Sequence, residues 1–157
     1  MSKFIVIFLA SWVIAAPASA GNCESISDSD ARNHCRAVAK KDKGACESIR
    51  DSDRRNLCRA EASGNKSACE SIKNSDLRHQ CRGMAGGKAS AGSCESIRDS
   101  DARNHCRALA SKNKSACESI RDSDARNMCR ALAGAGKSAC ESIRDSNLRN
   151  RCRAQAR

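Results

Sequence analysis

From Cys23 onward the apolar and polar positions form one pattern written six times, Cys-Glu-Ser-Ile-x-Asp-Ser-Asp-x-Arg-Asn-x-Cys-Arg-Ala-x-Ala, with units opening at Cys23, Cys46, Cys69, Cys94, Cys117 and Cys140. No segment shows the strict alternation of a half-buried strand. The second half of each unit instead places apolar residues at helical spacing, as in Leu77, Cys81 and Met84. Ahead of it, Asp-Ser-Asp carries the side chains that cap a helix and complement its positive end. A further helix start is predicted just before each first cysteine. There Ser67 with Glu70, Ser115 with Glu118 and Ser138 with Glu141 match the capping box. Gly64, Gly86 and Gly134 lie where helices are expected to stop. The fold class is therefore all-α, a disulfide-stapled array of six short helix-turn-helix repeats, arranged as a solenoid or as serial helical hairpins.

The spacing of cysteines restricts how such units are tied. The second cysteine always follows the first by 12 positions, whereas successive units are separated by 11, 11, 13, 11 and 11. Twelve residues of unbroken helix span about 18 Å, too far for a bridge. An unbroken helix would have to bond to an antiparallel neighbour, placing Cys35 beside Cys46 and Cys23 beside Cys58. A bend at Asp-Ser-Asp would instead allow a staple inside each unit, pairing Cys23 with Cys35. The bend is favoured, because Ser and Asp compete with helical backbone and the variable gap lies outside the 12-residue span. Spacing alone leaves both connectivities open. The longer gap, 86–93, is rich in Gly, Ser and Ala, and is a candidate flexible break dividing the array into two triplets.

Composition explains why staples are needed. Phe4, Phe8 and Trp12, the chain's aromatic residues, all lie in residues 1–20. That segment reads as an export signal: Lys3, an apolar stretch from Phe4 to Ala16, then Ala18-Ser19-Ala20 as a cleavage site. Its apolar run is too short to span a bilayer. From Gly21 on, the large aliphatics are six Ile, five Leu, one Val and two Met, too few for an ordinary core. Disulfides among Cys23, Cys35, Cys46, Cys58, Cys69, Cys81, Cys94, Cys106, Cys117, Cys129, Cys140 and Cys152 are the expected replacement in a secreted or periplasmic protein.

Charge supplies the leading functional expectation. The chain carries a formal net charge of +11, and loss of Lys3 with the signal leaves +10. Every unit has two arginines four residues apart. The first is expected to pair with the Asp four residues upstream. The second column, Arg36, Arg59, Arg82, Arg107, Arg130 and Arg153, has no acid so placed and is expected to form a ladder for polyanions. Anionic polysaccharide, lipopolysaccharide and nucleic-acid backbone are the candidate partners. Without aromatics for base stacking, sequence-reading binding to single strands is disfavoured.

Other chemistry is weaker. Asp28 with Asp30, Asp51 with Asp53, Asp99 with Asp101 and Asp122 with Asp124 resemble the opening of a calcium loop, but the turn glycine and distal Glu are missing. His34, His79 and His105 form no His-x-x-x-His pair and read as solvated helix residues. The cysteines lack the Cys-x-x-Cys spacing of a thiolate site. No catalytic set is recognisable and no cofactor is expected. A metal-binding repeat protein and a membrane-active cationic protein are the competing readings. The latter suffers from charges around each short helix. The unit at 114–133, Lys-Ser-Ala-Cys-Glu-Ser-Ile-Arg-Asp-Ser-Asp-Ala-Arg-Asn-Met-Cys-Arg-Ala-Leu-Ala, resembles short cysteine repeats of exported bacterial proteins. This resemblance covers the chain from Gly21 and implies no activity.

Overall fold

Residues 21–85 and 91–156 are described by a computed structural model. The predicted signal segment and most of the glycine-rich gap lie outside them. Each unit is a short turn of helix followed by a longer α-helix, and no strand occurs among the described residues. The long helices are α1 (Ser29–Lys40), α2 (Ser52–Ser63), α3 (Ser75–Met84), α4 (Ser100–Ser111), α5 (Ser123–Arg130) and α6 (Ser146–Gln155). Before them lie 3-10 turns at Gly21–Ser25, Lys43–Ser48, Lys66–Ser71, Lys114–Ser119 and Lys137–Ser142, and a single α-turn at Ala91–Cys94.

The chain bends where the sequence says it should. Asp28, Asp51, Asn74, Asp99, Asp122 and Asp145 are the N-caps of α1 to α6, each accepting the backbone N–H three residues on at 2.7–2.9 Å. Ile49, Ile72, Ile120 and Ile143, each just before a bend, are extended, and so turn the long helix back across the short one. That return closes the Cys23–Cys35, Cys46–Cys58, Cys69–Cys81, Cys94–Cys106, Cys117–Cys129 and Cys140–Cys152 bridges, with Cα atoms 5.6–5.7 Å apart. Stapling is thus within the unit.

Helix starts at the first cysteines depart from the capping-box expectation. Asp42, Asn65 and Asn113 cap these turns by accepting from the N–H two residues on. The glutamates of the supposed boxes are bonded elsewhere, as described below.

Each unit contributes one small core of two half-cystines and one isoleucine, and Ile26, Ile49, Ile72, Ile97, Ile120 and Ile143 are all 1% exposed. A small residue from the preceding long helix seals several of these cores: Ala37 covers Cys46, Ile49 and Cys58, and Ala108 covers Cys117, Ile120 and Cys129. Ala154 of α6 covers Cys23, Ile26 and Cys35 in the same way. The last unit therefore packs on the first, and the array is a closed ring of six units rather than an open solenoid. At this junction Asn147 Oδ1 accepts the N–H of Ser27 at 3.1 Å, and Asn147 Nδ2 donates to Ser27 Oγ at 2.9 Å. Despite the longer offset from Cys81 to Cys94, the third and fourth units are in contact, because α3 packs on both Ala91–Cys94 and α4.

Of the units three apart, offset by 71 positions, the first and fourth share one helix ending and the third and sixth another, whereas α2 ends on left-handed Gly64 and α5 runs on past Arg130. Lys41 and Lys112 end α1 and α4 in left-handed conformation at φ 54° and 51°, whereas α3 and α6 end on extended Ala85 and Ala156.

Candidate functional site: the outer rim and the lumen

The repeated polar residues do two different jobs. In every unit the Glu after the first cysteine lies beside the Arg after the second, since the staple brings their neighbours together. Arg36 binds Glu24, Arg59 Glu47, Arg82 Glu70, Arg107 Glu95, Arg130 Glu118 and Arg153 Glu141, each through two parallel hydrogen bonds. The guanidinium bond holds all six carboxylates below the usual carboxylate range. The expectation of an unpaired second column is corrected: its acid lies 12 residues away, at the staple, rather than four. The first column is also corrected. Arg32, Arg55, Arg78, Arg103, Arg126 and Arg149 donate through Nη1 to the carbonyls of Ile26, Ile49, Ile72, Ile97, Ile120 and Ile143 at 2.6–2.8 Å. The carbonyl that the extended bend frees from helical bonding is satisfied in this way.

The Asp-x-Asp pairs are likewise divided. Their first member caps its own helix, and the second reaches the next unit. Asp53 accepts from Lys73 N and Asn74 N at 2.9 Å, Asp124 from Arg144 N at 3.0 Å and Asp145 N at 2.9 Å, and Asp30 and Asp101 each hold one such bond. These two N–H bonds lower the Asp53 and Asp124 carboxyls. Asn147 takes the same position at the closing junction. All twelve cysteines are in disulfides, which removes the thiolate version of the metal reading. Among the described residues no group of three or more His, Cys, Asp or Glu side chains is placed to hold an ion.

Exposed cations occupy the column after isoleucine. Arg50, Lys73, Arg98, Arg121 and Arg144 recur at that point in five successive units, all exposed, with Ser27 in the remaining one. Arg98 approaches Asp76 at 3.9 Å, and the other four make no ion pair among the described residues.

The remaining variable columns face the ring axis at i, i+3 and i+7 of each long helix. The first is Ala31, Arg54, Leu77, Ala102, Ala125 and Leu148; the second His34, Leu57, Gln80, His105, Met128 and Arg151; the third Val38, Glu61, Met84, Leu109, Leu132 and Gln155. They line a lumen whose larger chamber holds about 940 Å³, with a second of about 620 Å³ toward the helix N-termini. His34 and His105 are therefore inward-facing rather than solvated helix residues, a correction that follows from ring closure. His34 is 8% exposed, and its Nε2 lies 3.0 Å from Glu61 Oε2, within ion-pair distance though poorly aligned for a hydrogen bond. Burial alone would raise the Glu61 carboxyl, but His34, Arg151 and His105 bring it below its ordinary value. Burial and the Arg151 charge, opposed by Glu61, push His105 down to about 4.

No helix among the described residues is long and apolar enough to cross a membrane. Comparison with family models, with curated proteins and with solved structures returns no match.

Proposed function

We propose that the protein is a non-enzymatic, exported scaffold that binds polyanions through its basic outer rim. The observation that carries this reading is the column Arg50, Lys73, Arg98, Arg121 and Arg144, exposed at one repeated position and separate from the residues that line the lumen. Clasps between neighbouring units fix the backbone of this column, since Arg50, Lys73, Arg121 and Arg144 each donate an N–H to an aspartate of the preceding unit. A rigid frame holds the charges at regular intervals, which suits a ligand with repeating negative groups. The paired arginines, from Arg36 to Arg153, are already neutralised by glutamate and contribute less. These same pairs occupy the glutamates that would otherwise be the best candidate acids, which supports a binding rather than a catalytic role.

Retention on immobilised heparin tests the proposal. Glutamine at Arg50, Lys73, Arg98, Arg121 and Arg144 together is expected to move elution to much lower salt. Unchanged retention of that variant would remove the rim from consideration. Binding of duplex DNA, if present, should weaken steeply with salt and show no sequence preference.

A further inference from the structure

Internal comparison of the six units separates frame from lumen. Cysteine, glutamate, isoleucine and the two arginines are the same in every unit, whereas the lumen columns hold eleven apolar and seven polar side chains arranged unevenly around the axis. Polar groups cluster on α6, α1 and α2, as Arg151, Gln155, His34 and Glu61. The adjoining stretch, on α4 and the fifth unit, presents Leu109, Met128 and Leu132 alongside His105. The chamber they share is of the size that accommodates small organic ligands.

Arg151 stands apart from the frame arginines. Arginines in both repeated columns have an acceptor, but Arg151 Nε is buried without a hydrogen-bond partner and the residue forms no ion pair. Glu61, a carboxylate that feels the Arg151 charge, lies 3.0 Å from His34. A buried guanidinium donor without an acceptor is costly, and the side chains of the fifth unit that line the chamber next to it, Met128 and Leu132, are apolar.

We infer that the lumen binds an amphiphile with a single carboxylate head and an unbranched apolar tail, the head on Arg151 and the tail along Leu109, Met128 and Leu132. One guanidinium beside the Glu61 charge suits one negative charge better than a phosphate dianion. The flexible thioether of Met128 adapts to a tail without a fixed shape. This site is separate from the rim, so either proposal can fail alone.

Calorimetric titration of the oxidised chain with decanoate, below its micellar concentration, is the direct test. One decanoate per chain is expected, with no saturable uptake of acetate. Arg151→Gln should weaken decanoate binding roughly tenfold or more, as expected for a charge-assisted bond, and Arg151→Lys should restore most of it. Leu132→Glu should abolish binding by placing a charge against the tail. Arg50→Gln and Arg121→Gln should leave it unchanged. Absence of saturable decanoate binding, equal binding by Arg151→Gln, or loss of binding in the two rim variants would overturn the inference.

Discussion

Isoleucine is the one large side chain that every unit buries completely, and it does so against its own disulfide, small alanines and, in some units, a few Leu or Met side chains. With so few partners its loss cannot be absorbed by repacking. Ile120→Ala is expected to destabilise by about 2–5 kcal/mol, read from denaturant unfolding under non-reducing conditions. Ile120→Val should cost only about 0.5–1.5 kcal/mol. Isoleucine and cysteine were legible as core because they never vary among the units. Their constancy is shared by Glu and Arg, and that was the available signal for the ion pairs: Glu follows the first cysteine, Arg the second, so any within-unit staple sets them side by side. Helical spacing, four residues, does not reveal a contact that the fold makes at 12.

At the scale of the element, local chemistry fixes most boundaries. The Asp-Ser-Asp bend was readable because a cap uses a side chain and an amide three residues apart, independent of anything distant. Asp122→Ala should therefore cost about 1 kcal/mol and raise amide exchange at Ala125, which would lose its acceptor. Lys112 is a different case. It ends α4 at φ 51°, where a side chain is strained, although its N–H closes the helix onto Ala108 and Leu109. Lys112→Gly is expected to stabilise by roughly 0.5–1 kcal/mol in thermal melts, and Lys112→Val to destabilise. The second Asp of each pair was not readable as a clasp, because its partner is a backbone amide 20 residues on. Asp53→Ala should speed amide exchange at Lys73 and Asn74 while leaving α2 protected, since the α2 cap is Asp51.

Across the whole molecule, ring closure decides which residues are inside, and this the linear repeat does not state. An open solenoid leaves His34 and His105 on a solvated face; a ring puts them in a lumen with Glu61 and Arg151. Stability should respond to pH accordingly. His105 titrates near 6.5 when unfolded and at about 4 when folded, so between these values the unfolded chain binds the extra proton. Stability is expected to fall as pH drops from 6.5 to 4, and His105→Gln should flatten that slope. Glu61, held below its ordinary value by His34, adds a loss only below about 4.5.

Closure itself is testable through the backbone. Ser27 bonds Asn147, and Ala154 seals the first unit's core, so the first and last units are neighbours as in any internal junction. If that junction is equivalent to the others, the position of the chain break within the ring should matter little. A circular permutant joining residue 156 to residue 21 through a short glycine linker, and opened within the gap at 86–90, keeps every disulfide pair inside one unit. It is expected to form the same six bridges and to give the same small-angle scattering profile as the parent chain from Gly21. Removing the sixth unit instead uncovers Cys23, Ile26 and Cys35 and leaves the fifth unit's Asp124 clasp without its amides. That truncation should be less stable and larger in radius of gyration than a five-unit ring would be. A permutant that scatters as an extended array, or a five-unit chain as compact and stable as the parent, would show that the units do not close.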